Sequence, residues 1–370
     1  MRYIDSRHKK LDKEIADLSI RSDILKFLDP INKFEELEKF ISRNGNYKPT
    51  FIYQDKHILA VQEVLSYIDD VILKLDIYLQ RYNDLLTIGM LEKCKELRYK
   101  FELVLAYHEQ DFDKINQLNI SLFGDFVDPM DIDFGSTIFD DYSITDISYL
   151  FPKDILILED KIDKKKLKEI IQYNVSIIWL DSYKVRFEEM GRTAMQVSIG
   201  NKPIIYINKK SDYGISSIAV SVLHEIYGHL HRRVQGSRSD YYILKWGTWF
   251  YLAEEEGVAT FQWARYEWYQ KVYDRLYDNY QFGGQLLDMS WYGAVEYMLT
   301  KTTKSLEYIY RSLLRWKRGL IDPDKHNVLY KDKIYFDGYL RVCDFINKGE
   351  KLDKLMMGRI KIDDIPVFDK

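Results

Sequence analysis

Apolar side chains recur at helical spacing along roughly the first 120 residues. The clearest run covers residues 57–79, where Ile68 and Leu75 are two of the positions on one helical face. Glycine and proline are scarce in this part of the chain and fall mainly within residues 28–34 and 43–51, which we interpret as interruptions. The pattern therefore predicts an N-terminal helical region.

An acidic, turn-rich stretch at residues 123–146 separates this region from the rest of the chain. We place the domain boundary there. The sequence thus predicts an N-terminal helical region with a connecting loop, residues 1–146, and a second domain, residues 147–370. The alternative is that residues 123–146 are only a long surface loop, which their aromatic content disfavours.

Beyond this stretch the apolar pattern becomes short and alternating, which is typical of strands. Strands are predicted at residues 154–160 and 174–181, on either side of a lysine-rich helix. Further strands are predicted in residues 183–191, 193–199 and 203–208, with a hairpin turn at residues 200–202. The chain is then helical again from residue 216. These features predict an α+β fold that is mostly helical, with a small sheet preceding a histidine-rich helix.

The composition indicates a packed protein without a polyanionic partner. The 370 residues are 46% hydrophobic and 15% aromatic, which is enough apolar material for a core. The formal net charge is −4 and the pI is near 6.0, whereas nucleic-acid-binding proteins usually carry a basic excess. We therefore expect no nucleic-acid partner.

The cysteines and the lengths of the apolar runs indicate where in the cell the protein is expected. Cys94 and Cys343 lie far apart and match neither a metal-ligand spacing nor a disulfide framework. The N-terminus has no uninterrupted apolar core, and no later stretch reaches the length of a bilayer span. We expect a cytoplasmic protein without a membrane partner, and these features leave the oligomeric state open.

Candidate chemistry begins at residues 221–233, SVLHEIYGHLHRR. His224 and His229 are five positions apart, so a regular helix would place them about 140° apart, too far round the axis to share one metal ion. A π-bulge would absorb one residue and bring them together, and Gly228 tolerates such a distortion. His231 lies about 10 Å along the axis from His224 and is predicted to stay off the metal. The alternative is that these histidines are solvated or hydrogen-bonded without a metal.

A third ligand is available in the segment WFYLAEEEGVATFQW, where three consecutive glutamates, residues 254–256, interrupt an apolar run. At least one of these carboxylates must turn inward, where it needs a cation or a metal. Two histidines and one glutamate leave the fourth zinc position open, which is the composition of a catalytic site. Glu225, on a different helical face, can then act as general base. The alternative is an acidic collar at the start of a helix.

The motifs HEIYGH, residues 224–229, and EEGVA, residues 255–259, together resemble those of the tyrosine-carboxypeptidase-like zinc metallopeptidases. Animal members of that family remove the C-terminal tyrosine of tubulin, and many bacterial relatives carry a QEGLA motif. The resemblance continues in order along most of the chain, in residues 28–40, 48–53, 192–198, 330–340 and 355–366. Two departures are present: the glycine of HEIYGH lies one position later than in the form HEIGTH, and a valine replaces the leucine of the second motif.

The resemblance implies a fold, a metal and a reaction. It implies a zincin-like catalytic domain of the gluzincin type, with one Zn²⁺ per chain held by His224, His229 and Glu256. Glu256 is the implied ligand rather than Glu255 because it directly precedes the glycine, and Glu225 is the implied general base. The expected activity is removal of a C-terminal aromatic residue, such as tyrosine or phenylalanine, from a peptide or protein.

A carboxypeptidase must hold a free C-terminal carboxylate, for which arginine is the best-suited side chain. The candidates are Arg311, Lys331, Arg233 and Arg192, of which the first two rank highest because they lie in a segment that resembles the family. Tyr335 is a candidate hydrogen-bond donor to the developing oxyanion. For each of these residues the alternative is a surface charge or a structural tyrosine.

Competing functions remain open from the sequence. A zinc endopeptidase or aminopeptidase would use the same motifs on a different substrate. A non-catalytic metal-binding regulatory protein would instead use residues 229–238, HLHRRVQGSR, as a basic patch for nucleic acid. A helical di-iron protein would need two Glu-x-x-His pairs on facing helices, and the sequence contains none.

Overall fold

The structure, a computed structural model, describes residues 3–54, 58–135, 137–155, 162–189, 194–198, 200, 202–209 and 213–368. Most of these residues are helical, and a small sheet is present. The predicted fold class, α+β and mostly helical, is thereby confirmed. Among the helices of the described ranges, none is both long enough and apolar enough to cross a membrane.

Helices occur along the whole of the described chain. In its first half they are α1 (Ser6–Arg21), α2 (Leu25–Leu28), α3 (Lys33–Ser42), α4 (Ile58–Tyr82), α5 (Leu85–Glu109), α6 (Phe112–Phe123) and α7 (Lys164–Ile177). In its second half they are α8 (Ile215–Ser221), a π-helix (Val222–Leu230), α9 (His231–Ser237), α10 (Tyr242–Trp246), α11 (Leu252–Ala264), α12 (Tyr269–Gln285), α13 (Trp291–Lys301), α14 (Leu306–Lys317), α15 (Ile334–Asn347), α16 (Leu352–Met356) and α17 (Ile365–Phe368). Short 3₁₀ helices lie at Thr137–Tyr142, Ser148–Leu150, Tyr330–Lys333 and Ile362–Asp364. The strands are β1 (Lys184–Glu188), β2 (Met195–Ser198) and β3 (Ile204–Asn208).

Several helices start where the sequence supplies a capping side chain. Asp84 accepts a hydrogen bond from the backbone N–H of Thr87 at the start of α5, and Ser290 accepts one from Gly293 at the start of α13. Asp163 accepts from two backbone N–H groups at the start of α7. These caps satisfy N–H groups that a helix leaves without intrahelical partners, so local chemistry sets where these helices begin.

The chain divides into two compact units, each of which is discontinuous in sequence. The sheet unit contains Met1–Ala16, Pro129–Leu276 and Tyr335–Lys370, and the helical unit contains Asp17–Asp128 and Tyr277–Ile334. The sheet unit therefore includes residues on both sides of position 146. The functional domains expected over residues 1–146 and 147–370 stay a prediction.

The helical unit is built on long helices that pack along one another. α4 packs on α5, and α5 packs on α6. On α4 the side chains of Val61, Ile68 and Leu75 are buried, as their helical spacing predicts, whereas Leu59 and Ile77 are exposed. Ring contacts join the members of an aromatic cluster in the same unit: Phe40, Phe51, Trp291 and Tyr310. The apolar spacing along the helices thus supplies the core of this unit.

In the sheet unit, the described strands form a three-stranded sheet in the order β1, β3, β2. β1 runs parallel to β3, with Val185 opposite Ile205. β2 runs antiparallel to β3, with Val197 opposite the same Ile205. Ile205 and Ile207 are fully buried at the centre of the sheet. β2 is an edge strand, and it packs against the π-helix that carries the histidine motif.

The strands predicted nearest the histidine helix are confirmed. Each of the segments 183–191, 193–199 and 203–208 contains one strand of the sheet. β2 and β3 pair antiparallel, as a hairpin requires. The strand predicted at residues 154–160 falls mostly outside the described residues, and its first two positions lie in a turn and a bend.

The strand predicted at residues 174–181 is wrong. α7 continues to Ile177, and a turn follows. Leu167, Ile170 and Val175 are buried on one face of that helix. Their helical spacing extends through the segment and outweighs its β-branched residues, whose preference for strands is weak without a neighbouring strand to pair with.

Candidate metal centre

The histidines are carried by a continuous helical segment that contains a wide turn. α8, the π-helix and α9 follow one another without a break. Because a turn of π-helix holds more residues than a turn of α-helix, positions five apart can return to the same face. The wide turn predicted between His224 and His229 is confirmed, although it extends over the whole of Val222–Leu230 and is more than a single bulge.

Gly228 allows the π-helix to approach α11 closely. A Cβ atom at position 228 would lie 2.6 Å from the Cα and the Cβ of Ala259, a distance that side chains do not adopt. Gly257 has a similar role on α11, because a Cβ there would lie 2.1 Å from the carbonyl oxygen of Gly338 on α15. Gly228 therefore has a packing role that the sequence did not indicate.

His224, His229 and Glu256 bring three potential ligand atoms together. The two imidazole Nε2 atoms are 3.3 Å apart, and Glu256 Oε2 lies 3.5 Å from His229 Nε2 and 3.7 Å from His224 Nε2. Nitrogen and oxygen ligands at about 2 Å from a tetrahedral zinc ion lie about 3.3 Å from one another. The donor set and its spacing therefore fit a tetrahedral zinc ion.

The three consecutive glutamates are all buried, and each has different neighbours. Glu254 pairs with Arg341 on α15 at 2.8 Å. Glu256 faces the two histidines. Glu254 and Glu255 do lie in the first turn of α11, as the alternative of an acidic collar requires, but their side chains are buried and have specific partners in the protein. The sequence required at least one of these carboxylates to point inward, and all three do.

Glu255 contacts His229 on the side of the ring away from the ligand atoms. Its Oε1 lies 3.0 Å from His229 Nδ1, so the carboxylate can accept a hydrogen bond from that nitrogen and leave Nε2 for a metal. Arg232 and Arg359 donate to the same carboxylate at 2.7 Å and 3.0 Å. Burial opposes ionisation of Glu255, but Arg359 and Arg232 outweigh it and lower the pKa to about 2. Glu255 is therefore an anion at any ordinary pH.

Glu225 lies next to a ligand on the π-helix and is only 7% exposed. Its Oε2 accepts a hydrogen bond at 2.9 Å from the backbone N–H of Val197 on edge strand β2. Burial raises the pKa of this carboxyl to about 7. A buried carboxyl with a pKa near neutrality beside a candidate ligand group can serve as a general base.

The two histidines have different electrostatic surroundings. Burial, together with the nearby His229, lowers the pKa of His224 to about 4. Burial also opposes the charged form of His229, but Glu256 and Glu255 outweigh it and raise its pKa to about 10. In the metal-free protein, His224 is therefore neutral, whereas His229 holds a proton among the carboxylates.

His231 lies outside the ligand group, as predicted. Its Nε2 is 3.0 Å from Nε2 of Gln235, one turn along α9, and burial lowers its pKa. The neighbouring Arg232 and Arg233 are both buried. Burial thus removes these two arginines from the basic surface patch that one alternative required, whereas Arg238 in the same segment is exposed.

Two of the substrate-binding candidates lie in the sheet unit, which also holds the ligand group. Arg233 donates to the carbonyl oxygen of Gly200 at 2.7 Å, and its guanidinium lies over the ring of Trp246. Burial lowers the pKa of Arg233 to about 10. Tyr335 is half-buried near the start of α15. Arg233 thus has a fixed position, which suits a binding residue.

Two of the other candidates are not brought into that unit. Arg311 and Lys331 belong to the helical unit. Arg311 pairs with Glu307 at 2.8 Å, one turn away on α14, and Lys331 lies in a 3₁₀ helix. Arg192 lies outside the described residues. The two residues that ranked highest from the sequence therefore have no place in the ligand group's own unit.

Arg232 and Arg359 are the residues near the ligand group that the sequence analysis did not single out. A signal for them existed, because consecutive glutamates in an apolar helix require buried cations. Both arginines lie in segments with apolar neighbours, HLHRRV and LMMGRI. Pairing the buried acids with the basic residues of apolar segments would have identified both.

No protein-family model matches the chain, and no curated protein sequence matches it. The resemblance to the tyrosine-carboxypeptidase-like peptidases rests on motifs and their order, and it stays an expectation. The function is therefore inferred from the geometry of the ligand group and of the residues that contact it.

Proposed function

We propose that this chain is a zinc-dependent metallocarboxypeptidase that removes an aromatic residue from the C-terminus of a peptide or protein. The observation that carries the proposal is the group of His224, His229 and Glu256, whose ligand atoms lie 3.3 to 3.7 Å apart. Structural zinc sites use four protein ligands, whereas catalytic sites use three and keep one position open. Three ligands with a buried carboxyl alongside therefore favour catalysis.

Zinc bound at such a site supplies Lewis acidity, which lowers the pKa of a water molecule and polarises a carbonyl. Glu225 takes the proton of the attacking water and passes it to the nitrogen of the leaving amino acid. Its pKa of about 7 suits both transfers near neutral pH. The backbone N–H of Val197 fixes one oxygen of this carboxylate, so the base has a defined orientation.

The proposal includes a zincin-like fold of the gluzincin type and a cytoplasmic location. The fold is supported by a small sheet whose edge strand β2 packs against the π-helix, and by a glutamate ligand on a second helix, α11. The location is supported by Cys94 and Cys343, which are buried free thiols.

The carboxypeptidase direction requires a cation for the terminal carboxylate of the substrate. Arg233 is our leading candidate, because it lies in the sheet unit and is held between the Gly200 carbonyl and the Trp246 ring. Arg311 and Lys331 stay candidates through the resemblance alone. Tyr335, also in the sheet unit, is the candidate donor to the oxyanion.

A pair of synthetic peptides tests the proposal. One ends in tyrosine with a free carboxylate, its twin ends in tyrosine amide, and mass spectrometry reads the products formed by the zinc-loaded protein. We expect the free peptide to lose its tyrosine and the amide to stay intact, because the reaction needs the terminal carboxylate. Internal cleavage of both peptides would indicate an endopeptidase, and shortening from the other end an aminopeptidase. Intact peptides with bound zinc would indicate a non-catalytic metal-binding protein.

A further inference from the structure

The C-terminal segment after α16 contains Arg359, which pairs with Glu255 behind the ligand group. Arg359 is bound through its backbone on both sides: its N–H donates to the carbonyl of Leu244, and its carbonyl accepts from the N–H of Thr248, each at 2.9 Å. Its guanidinium lies over the ring of Tyr251, 4.9 Å from the centroid. With the backbone fixed and the side chain stacked, Arg359 reaches Glu255 in a defined position.

Arg232 ties the same segment to the helix that carries the histidines. This fully buried side chain donates to the carbonyl oxygens of Leu355, Gly358 and Ile360. It also donates to Glu255 Oε2 at 2.7 Å. Both arginines therefore converge on one carboxylate, and the C-terminal segment is fixed against the ligand group by the same contacts.

The two oxygens of Glu255 are used differently. Oε2 accepts from Arg232, whereas Oε1 accepts from Arg359 and also lies 3.0 Å from His229 Nδ1. Because Oε1 is shared, its position depends on where Arg359 holds it. A carboxylate partner on the second ring nitrogen fixes both the tautomer and the orientation of a metal-binding histidine.

We propose that Arg359 is a positioning residue for the metal site. Acting through Glu255, it holds the His229 ring with the proton on Nδ1 and with Nε2 presented to the metal. The inference rests on the proposed function, since it takes His229 to be a metal ligand. It adds that the affinity for zinc depends on the C-terminal segment, whose described residues belong to no ligand group themselves.

The neighbouring pair, Glu254 and Arg341, is a matched control. Glu254 is as deeply buried as Glu255 and adjacent to it, and Arg341 pairs with it at 2.8 Å. In both cases loss of the arginine leaves a buried carboxylate with fewer cations, which destabilises a fold. Of the two glutamates, only Glu255 contacts His229, so only the loss of Arg359 should change the affinity for zinc.

The experiment measures the dissociation constant for Zn²⁺ by competition with a chelating dye, for the wild type, Arg359→Gln and Arg341→Gln. The thermal midpoint of each metal-free protein is measured alongside. We expect Arg359→Gln to weaken zinc binding by about 10- to 100-fold, the usual effect of losing such a partner. Arg341→Gln should lower the thermal midpoint but keep the zinc affinity within about twofold.

Arg359→Lys serves if Arg359→Gln does not fold. It keeps the charge but has no planar group to hold against Glu255 and the Tyr251 ring together, so weaker zinc binding than in the wild type is again expected. Nitrogen-15 NMR of the zinc-loaded proteins adds a second readout, in which the His229 Nδ1 proton is retained in the wild type and exchanges faster in the Arg359 variants.

Equal zinc affinities in the folded Arg359 variants and in Arg341→Gln would overturn this inference and leave the proposed function standing. A wild-type protein that binds no zinc would overturn both. The two failures are therefore distinguishable in a single set of titrations.

Discussion

Two buried charge clusters, one in each unit, differ in how the chain assembles them. In the helical unit, Lys93 and Lys100 both pair with Glu96, and the three residues lie one turn apart on α5. In the sheet unit, Glu255 is paired by Arg232 and Arg359, which come from separate segments. The first cluster follows from spacing on one helix, whereas the second exists only once the fold has formed.

The difference between the clusters indicates different roles. Charges that pair along one helix satisfy one another where the chain buries them, and such a cluster is an element of packing. The cluster of Glu255 ends at the Nδ1 atom of His229. A buried ion network that is brought together from distant segments and contacts a candidate ligand is expected to serve the site as well as the fold.

Among the substitutions considered, Glu225→Gln in the sheet unit is expected to have the largest effect, and that effect is on catalysis. The amide keeps the shape of the side chain but cannot accept the proton of the attacking water, so kcat should fall by at least about 100-fold. Bound zinc should be retained, because Glu225 is outside the ligand group. Assays of peptide cleavage and of metal content on the same sample check this, and full cleavage by the variant would contradict the role of base.

Glu255→Gln and Glu96→Gln test whether the two charge clusters differ in their effect on zinc binding. Each removes one buried anion that pairs with two cations, so each should lower the free energy of unfolding by about 3–5 kcal/mol. Only Glu255→Gln should also weaken zinc binding, by about 10- to 100-fold. Urea unfolding and zinc titration measure the two quantities. A similar loss of zinc affinity in Glu96→Gln would remove the distinction between the clusters.

Gly228→Ala, measured by urea unfolding, tests whether the stability of the sheet unit depends on the close approach of the π-helix to α11. The added methyl group meets Ala259 on α11, so we expect a loss of about 1–3 kcal/mol in the free energy of unfolding. Gly293→Ala is the control in the helical unit, where the nearest atom to a new Cβ is Ser290 Oγ at 3.4 Å and the change should stay below about 1 kcal/mol. An equal loss of unfolding free energy in the two variants would show that the structure around Ala259 accommodates the added methyl group without extra cost.

The smallest expected effect concerns Asp364, a buried carboxyl of the sheet unit. Burial raises its pKa from 3.8 to about 7, opposed by a hydrogen bond from Thr248 and by Lys361. The neutral form is thus favoured in the folded protein. Its contribution to stability is present below about pH 4 and is lost as the pH rises through about 7.

Asp364→Asn removes this titration, so the stability of the wild type relative to the variant should fall between about pH 5 and about pH 8. Urea unfolding of both proteins at the two pH values measures the difference. If the difference in unfolding free energy between the two proteins were the same at both pH values, Asp364 would be ionised in the folded protein. Asp364 and Glu255 would then both be buried anions, and the number of paired cations would not explain a difference between them.

What the sequence could predict was local. Five-residue spacing between His224 and His229 required a wide turn, and the glutamate row in an apolar segment required inward carboxylates. Both requirements come from helix geometry and the cost of burying charge, and the structure meets both. The spacing of Ile68 and Leu75 likewise placed buried positions on α4.

What the sequence could not predict depends on contacts between distant segments. The sequence around Glu255 calls for a buried cation but does not say that Arg359 pairs with it, or that Gly228 lies against Ala259. The strand predicted at residues 174–181 failed for a related reason, because strand preference depends on a partner strand, and none of the described strands pairs there.

Metal analysis tests whether His224, His229 and Glu256 hold a zinc ion. The wild type and His224→Ala are loaded with zinc, dialysed against metal-free buffer and measured by inductively coupled plasma mass spectrometry. We expect about one zinc ion per wild-type chain and almost none in His224→Ala. A wild type without zinc, or a variant that keeps its zinc, would contradict this expectation.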